Sequence, residues 1–292
     1  MNPSTTPVPL LDRAASARER RLFAQSPPWL HDDVAQSMVE RLRWMIQPPA
    51  TWLDWEPSWG GSGSAKWIGQ TYPAAQRWVH ERDGLSASGA SPSRWGWLPG
   101  RRVTPLTWDG RTTVDMVWAN MALRGEAQPE ALMQQWLRAL KPQGFVMFTG
   151  LGPHTLASLR AVYARRGWGE AFTPFTDMHD WGDMLVGQGF ENPVLDSSFL
   201  NLTYSSVKHL LADLRLLGRN THPARHPGLR SSQWAAALHQ ALESELERDA
   251  SGRWMVTLEV IHGHAVSPAG VRSAGQVTAI SEAQMRGLLQ RR

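Results

Sequence analysis

The segment from Val114 to Thr149 constrains the fold of this chain more than any other. Residues 114–120 are mostly apolar, as in a buried strand, and Pro129 suits the first turn of a helix. Apolar side chains then recur at helical spacing, at Leu132, Met133, Trp136, Leu137 and Leu140. A turn at 141–144 leads into a second apolar strand at 145–148. A strand, a helix and a strand in this order predict two parallel strands joined by a right-handed crossover.

Strand and helix patterns alternate along the rest of the chain. Further strands are predicted at 51–55, 76–80, 193–204 and 255–264, and helices at 32–45, 65–72, 155–165, 177–188, 206–217 and 233–248. This alternation predicts an α/β fold with helices on both faces of a doubly wound sheet and a helical cap inserted before the last strand. The predicted divisions are a leader with helices at 1–48, a core at 49–204, the cap at 205–254, and the last strand with a tail at 255–292. A long loop is predicted at 84–100, and a short final helix begins at Ser281.

The composition excludes several classes of function. The chain has no cysteine among its 292 residues, which removes disulfides, thiolate nucleophiles and cysteine-based metal sites. No apolar run approaches the ~18 residues of a membrane span, and residues 1–10, an expected disordered leader, lack the features of a signal peptide. We therefore expect a cytoplasmic protein. A sequence pI of about 9.9 favours an acidic partner, which could be a nucleic acid, an anionic lipid or an acidic protein.

A candidate nucleotide-type site follows the strand at 51–55, because ligands of open α/β sheets bind outside the carboxyl ends of the strands. The residues expected to contact such a ligand are Asp54, Gly60, Gly61, Glu81 and Asn120. Glu81 comes just after the next strand and could accept hydrogen bonds from a ribose. Glu56 and Pro57 stand where glycines would let the backbone approach a ligand, and they are poor choices for close approach. From spacing alone, an ordinary surface loop explains this segment equally well.

Two histidine motifs could hold a metal or exchange protons, but each has a simpler explanation. His179 and Asp183 are four residues apart and could share a helix face. Asp177 could instead cap that helix, and we favour capping. His262 and His264 would lie on one face of a strand, where we favour polar positions on an edge strand. We predict neither a metal site nor a catalytic side chain.

A basic stretch lies in the predicted cap. Lys208, Arg215 and Arg219 are spaced to share one side of a helix, with Asp213 as the main interruption. Residues 222–230 add histidines and arginines in a proline-bearing loop. The stretch could be an ordinary solvated face or could dock an anionic partner, and the sequence favours neither. No aromatic ladder interleaves these charges, so a nucleic acid is the weaker choice of partner.

Several segments resemble the malonyl-acyl-carrier-protein O-methyltransferases of biotin synthesis. The most distinctive is 175–186, which reads Phe-Thr-Asp-Met-His-Asp-Trp-Gly-Asp-Met-Leu-Val. Further segments that fit the family are 11–15, 151–160, 189–190, 193–196, 211–220 and 259–264. Residues 115–123 and 140–144 match more general methyltransferase motifs. The likeness is good over about residues 110–265 and poor over the first hundred residues.

The resemblance implies a Rossmann-like class I methyltransferase sheet that binds S-adenosyl-L-methionine. It implies methyl transfer to the free carboxylate of malonyl-acyl carrier protein, a small and very acidic partner, which agrees with the basic stretch. A carboxylate is already a nucleophile, so no general base is needed, and catalysis is mostly alignment and exclusion of water. The candidates for binding the malonyl carboxylate or the carrier's phosphate are Arg215, Arg219 and Arg225.

The cofactor turn departs from the family pattern. The family places spaced glycines after the aspartate of its first strand, whereas Trp55, Glu56 and Pro57 follow Asp54 here. The sequence leaves three hypotheses, of which a basic nucleic-acid binder is the weakest. We prefer an active methyltransferase with an altered cofactor turn, and the alternative is an inactive protein of the same fold that binds acyl carrier protein or a partner enzyme. A cofactor crevice filled by Trp55, Glu56 or Trp59 would favour the alternative.

Overall fold

The computed structural model describes residues 11–23, 26–82 and 105–270. Its strands are β1 (Thr51–Trp55), β2 (Gln76–His80), β3 (Leu106–Thr107), β4 (Val114–Ala119), β5 (Leu140–Leu151), β6 (Glu191–Tyr204) and β7 (Trp254–Val266). Its helices are α1 (Arg13–Phe23), α2 (Trp29–Arg41), α3 (Pro57–Gly60), α4 (Gly63–Thr71), α5 (Pro129–Ala139), α6 (Ala157–Arg165), α7 (Met178–Gly187), α8 (Val207–Leu217) and α9 (Ser232–Glu245). Within the described ranges the strands form one sheet of seven, in the order β3-β2-β1-β4-β5-β7-β6.

Five neighbouring strands of the sheet run parallel. β1 pairs in parallel with β2 and β4, β2 with β3, and β4 with β5. The strand–helix–strand unit predicted at 114–149 is confirmed as β4, α5 and β5. β7 lies between β5 and β6 and is antiparallel to both. The predicted α/β sheet is confirmed, and the carboxyl ends of its parallel strands form one edge.

Apolar side chains cover both faces of this sheet. Val117 and Trp118 are neighbours on β4 and belong to different clusters, as strand alternation requires. The Val117 cluster includes Trp136 of α5 and residues of α7, whereas the Trp118 cluster includes Met38 of α2 and Ile68 of α4. Each such fully buried side chain stabilises the fold by about 1.5–3 kcal/mol. Helices therefore pack on both faces, as the sequence predicted.

Capping side chains begin three of the predicted helices, α7, α8 and α9. Asp177 accepts a hydrogen bond from the backbone N–H of His179 at 2.8 Å, at the start of α7. Ser206 accepts from the backbone N–H of His209 at 3.2 Å, at the start of α8. Each cap stabilises its helix by about 1 kcal/mol. The capping explanation for the Asp177 motif is confirmed.

Three details correct the sequence predictions. The segment after β1 begins with the short helix α3, in which Trp59 and Gly60 are buried, and is not a surface loop. β5 begins at Leu140, because residues 140–144 join the sheet through a register shift opposite β4. β7 is an interior strand, so His262 and His264 are not on an edge.

A further correction concerns Arg219, and three other predictions lie outside the described residues. α8 ends at Leu217, so Arg219 lies past the helix and does not share its side with Lys208 and Arg215. The predicted leader at 1–10, the loop at 84–100 and the helix at Ser281 lie outside the described residues. Within the described ranges, no helix has both the length and the apolar character that a bilayer crossing needs.

Candidate functional site

Asn120, the residue after β4, makes hydrogen bonds to three other segments at the carboxyl edge of the sheet. It is 2% exposed, and its side-chain nitrogen donates to the carbonyl oxygens of His31, at 2.7 Å, and Gly60, at 2.5 Å. Its Oδ1 accepts from the hydroxyl of Thr149 on β5 at 2.6 Å. That hydroxyl oxygen in turn accepts from the backbone N–H of Met121 at 2.9 Å. Both polar atoms of the Asn120 side chain are therefore engaged within the protein.

Gly60 and Gly61 let the turn after β1 approach the rest of the chain. A Cβ on Gly60 would lie 2.8 Å from the carbonyl oxygen of Asn120. Gly61 has a φ of 97°, which favours glycine, and a Cβ there would lie 2.5 Å from Oδ1 of Asp32. Both glycines are buried. The close approach that they allow is thus made to the protein itself.

The two carboxylates predicted to contact a cofactor also have protein partners. Asp54 accepts two hydrogen bonds from the guanidinium of Arg77, at 2.6 and 3.0 Å. Burial raises the pKa of Asp54, and the charge of Arg77 opposes this rise. Glu81 accepts from the hydroxyl and the backbone N–H of Ser58, at 2.6 and 2.9 Å, and burial raises its pKa. A ribose that binds Glu81 must share this carboxylate with Ser58 or displace it.

Glu56 stands where the family pattern has glycine and takes the left-handed conformation, with a φ of 51°. Its carboxylate pairs with Arg20 at 2.6 Å and with Arg82 at 2.8 Å, and the residue is 3% exposed. Arg82 also pairs with Glu126 at 2.7 Å. This backbone conformation costs a residue with a side chain about 1 kcal/mol or more. The ion pairs hold Glu56 in that conformation.

Trp59 of α3 fills the space beside Glu56. It is 3% exposed, and its indole N–H donates to the carbonyl oxygen of Met121 at 3.0 Å. The guanidinium of Arg20 lies 4.9 Å from the centroid of its ring, and that of Arg124 lies 5.5 Å away. Both distances are within cation–π range. The indole is therefore held by two cation–π contacts to its ring and by the hydrogen bond of its N–H.

Sequence reasoning missed most of the side chains that surround this turn, namely Arg20, Arg82, Arg124 and Glu126. They come from α1, from the residues after β2 and from the turn after β4, and they meet only in the folded chain. Their separation along the chain therefore leaves no local sequence pattern that would predict this cluster. Glu56 and Trp59 did carry a signal, since they interrupt a glycine-rich pattern.

The described conformation does not fit the cofactor that the resemblance implies, although side chains of suitable chemistry are present. Four of the five predicted contacts are buried by protein atoms: Asp54, Gly60, Gly61 and Asn120. A ligand can reach them only if the protein atoms that bury them move. Trp55 does not block the crevice, because it packs in the core with its ring centroid 6.4 Å from that of Trp136. The crevice after β1, which includes the buried residues Glu56 and Trp59, is thus closed.

A cavity of about 320 Å³ lies beside this closed turn, between the sheet and the cap. Its walls are mostly apolar, and the charged residues that line it are Glu19, Arg124, Glu126, Arg215 and Arg219. Arg215 and Arg219, predicted to bind substrate, are exposed. Arg225, the third predicted arginine, is not among the lining residues and pairs with Asp12 at 2.7 Å. The structure thus brings two of the three predicted arginines to one cavity.

The histidine motifs have local partners. Nδ1 of His179 contacts the capping Asp177 at 2.7 Å. Nε2 of His262 lies 3.5 Å from the hydroxyl of Ser198, and burial lowers the pKa of His262 to about 4. Within the described ranges, no three histidine or carboxylate side chains are placed to hold a metal ion.

Two proteins similar to this chain, from different bacteria, carry the same name. No family model matches the chain. The chain is 36% identical over 254 residues to the malonyl-acyl-carrier-protein O-methyltransferase of Gallionella capsiferriformans, which covers 82% of this chain and 84% of that protein. It is 34% identical over 278 residues to the protein of the same name from Laribacter hongkongensis, which covers 88% of this chain and 87% of that protein.

Solved structures share the fold at low sequence identity. A putative methyltransferase from Bacillus halodurans matches 80% of this chain and 99% of its own, with a TM-score of 0.52 and 15% identity. The YcgJ protein from Bacillus subtilis matches 81% of this chain and 98% of its own, with a TM-score of 0.51 and 10% identity. At these identities the likeness concerns the fold alone, and it confirms the Rossmann-like sheet.

Proposed function

The chain belongs to the malonyl-acyl-carrier-protein O-methyltransferase family, and we propose that it transfers a methyl group to the free carboxylate of malonyl-acyl carrier protein. The methyl donor is S-adenosylmethionine, and the reaction serves biotin synthesis. Two relatives that match this chain over most of its length support the assignment. The distinctive segment at 175–186 agrees with it.

The position of the cavity is the observation that carries this proposal. Residues 123–126, after β4, and Gly150 and Leu151, at the end of β5, line it. Ligands of open α/β sheets bind at this carboxyl edge. A mostly apolar cavity with a few charged side chains is typical of a small-molecule site. An acyl group that enters it lies next to the turn after β1, where the family binds its cofactor.

This reaction requires the protein to align a carboxylate and to shield it from water, but not to activate it. A carboxylate is already a nucleophile, so the reaction needs no general base. The apolar walls exclude water from the acyl group, which removes the hydration that would weaken the nucleophile. Arginine side chains of the cavity can hold the carboxylate by charge-assisted hydrogen bonds. The closed crevice must open before the donor can enter.

We propose that the acyl carrier protein docks on the basic residues of the cap. Lys208 and Arg215 on α8 and Arg219 just after it are exposed. Arg215 and Arg219 also line the cavity, so the positive charge and the mouth of the cavity coincide. Complementary charge steers an acidic partner toward such a surface. We place the reaction in the cytoplasm, in line with a chain that has no cysteine.

The closed crevice favours a second candidate function. If the crevice at Glu56 and Trp59 never opens, the chain binds malonyl-acyl carrier protein or a partner enzyme without methylating it. The cavity and the basic surface would serve this role unchanged, because neither includes the closed turn.

Two measurements distinguish the candidates. Isothermal titration of the purified chain with S-adenosylhomocysteine reports whether the crevice opens, and micromolar affinity supports the methyltransferase. Mass spectrometry of malonyl-acyl carrier protein incubated with the chain and S-adenosylmethionine reports the methyl ester. Neither binding at millimolar ligand nor any methyl ester would leave only the second candidate.

A further inference from the structure

The cavity holds one deeply placed positive charge. Arg124 lines it with a side chain that is 10% exposed, whereas Arg215 and Arg219 are exposed. Leu123 and Leu151 line the same cavity and are buried apolar residues. A buried guanidinium needs an anion, because an unpaired charge in apolar surroundings is costly. The identity of that anion decides what the cavity can bind.

The protein fixes the guanidinium of Arg124 from two sides. Its Nη1 lies 3.1 Å from Nε2 of His31, and its Cζ lies over the ring of Trp59, 5.5 Å from the centroid. Nδ1 of His31 faces the carbonyl oxygen of Trp59 at 2.6 Å, so Nδ1 carries the proton and Nε2 accepts from Arg124. Burial lowers the pKa of His31 to about 3, which keeps the ring neutral. His31 therefore orients Arg124 without neutralising it.

Glu19 supplies the anion and comes from another element. It lies on α1, is 5% exposed and accepts a hydrogen bond from Nη2 of Arg124 at 3.1 Å. The same oxygen accepts from the backbone N–H of Arg219 at 2.7 Å. Glu19 also lines the cavity. Its carboxylate thus has the chemistry and the position of a ligand's carboxylate.

We propose that Arg124 binds the free carboxylate of the substrate's acyl group and that Glu19 holds this place in the free protein. The inference rests on the proposed function, because the malonyl group supplies the carboxylate. A malonyl thioester can exchange with Glu19, since both present a carboxylate to one guanidinium. An acetyl thioester has no carboxylate, so it leaves the pair intact and gains nothing from it. Arg124 and Glu19 together select a charged acyl group.

Calorimetric titration of the full chain with malonyl-pantetheine and acetyl-pantetheine, without cofactor, tests this proposal. We expect the wild-type protein to bind the malonyl compound at least about tenfold more tightly. Glu19→Gln removes the competing charge, and we expect it to raise malonyl affinity about tenfold while acetyl affinity stays the same. The double variant Glu19→Gln with Arg124→Gln removes both charges of this buried pair, so neither is left without its partner, and we expect it to lose the malonyl preference.

Arg138→Gln, at an exposed position on α5, is the matched control and should keep the wild-type preference. The proposal is overturned if the wild-type protein does not distinguish the two compounds, or if Glu19→Gln leaves malonyl affinity unchanged. Because Glu19→Gln stands alone, a double variant that fails to fold does not remove the test. Methyl ester formation by the wild-type protein is scored separately. Ester formation together with a malonyl preference that survives in the folded double variant refutes this inference and leaves the proposed function standing.

Discussion

The side chain of Glu56 makes two ion pairs at the turn where the family binds its cofactor. In a glycine-rich turn the backbone is left open for a cofactor, but here a carboxylate takes that place and pairs with Arg20 and Arg82. Trp59, Gly60 and Gly61 are buried in the same turn. The sequence marked both intruding residues as departures from the pattern. It could not show that arginines distant in the chain would hold Glu56, because a salt bridge across 36 residues leaves no trace in local spacing.

The double variant Glu56→Gly with Trp59→Ala should open the crevice. The affinity of a ligand is reduced by the fraction of molecules in the competent conformation, so removal of the blocking side chains should raise it. We expect S-adenosylhomocysteine to bind at least about tenfold more tightly to this variant than to the wild-type protein. Isothermal titration measures the change, with Trp44→Ala, at a tryptophan that is 75% exposed, as the control. Equal affinity in variant and wild type would show that these side chains do not control the crevice.

His31 makes the stability of the fold dependent on pH. Its pKa is lowered to about 3 from an ordinary 6.5, chiefly by burial. Between these values the unfolded chain binds a proton that the folded chain does not, so acidification favours unfolding. From pH 7 to pH 5 this group alone should lower the free energy of unfolding by about 2 kcal/mol.

Urea unfolding of the wild type and of His31→Asn at pH 7 and pH 5 measures the effect. Asparagine keeps a donor toward the Trp59 carbonyl and removes the titrating ring. Asp54 and Glu81, whose pKa values are raised, act in the opposite direction, so the difference between the two proteins is the informative quantity. The variant should lose less stability on acidification than the wild type does. His226→Asn, in an exposed loop, should follow the wild type, and identical slopes for all three proteins would contradict the assignment.

At the scale of elements, local pattern was a good guide wherever one element is self-sufficient. The apolar spacing in α5 and the alternating clusters of β4 follow from helix and strand periodicity, and both are confirmed. The position of β7 was not predictable in this way. Its place between β5 and β6 depends on pairing with strands that are distant in the chain, and no local signal distinguishes an interior strand from an edge. For the same reason, His262 was assigned to an edge.

Gly263 shows how tightly β7 fits its interior place. It pairs with Phe148 of β5, and a Cβ on it would lie 2.1 Å from that ring. Overpacking in a core costs typically 1–3 kcal/mol, so Gly263→Ala should lower the free energy of unfolding by about that amount. Gly69→Ala is the matched control, because Gly69 lies in α4 with nothing within 4 Å of its added Cβ. There alanine should stabilise by about 0.5–1 kcal/mol, and urea unfolding of both variants compares the signs. Equal effects would show that the ring of Phe148 moves aside freely.

At the scale of the whole molecule, the sheet and the cap place the charged and the apolar parts of the site in a fixed relation. α8 and α9 are inserted between β6 and β7, so the cap is tied to the sheet at both of its ends. Leu217 of α8 packs with Leu151 of β5 and Leu258 of β7 in one apolar cluster. The cap thereby holds Arg215 and Arg219 at the cavity. The sequence predicts the basic stretch and counts Arg225 among its substrate-binding arginines. In the structure Arg225 pairs with Asp12 and does not line the cavity.

Charge reversal at this mouth tests the whole arrangement. The variant Arg215→Glu with Arg219→Glu should weaken binding of acyl carrier protein by about 1–3 kcal/mol, because it opposes an acidic partner at the point of docking. The backbone N–H of Arg219, which donates to Glu19, is kept by the substitution. The control is Arg43→Glu with Arg138→Glu, which changes the net charge equally at two exposed positions that do not line the cavity.

Titration at low and high salt separates local charge at the cavity from net charge. Screening should erase more of the affinity difference between the wild type and the Arg215→Glu with Arg219→Glu variant. If both variants weaken binding equally, the attraction comes from net charge alone. If neither does, the carrier protein docks elsewhere on the molecule.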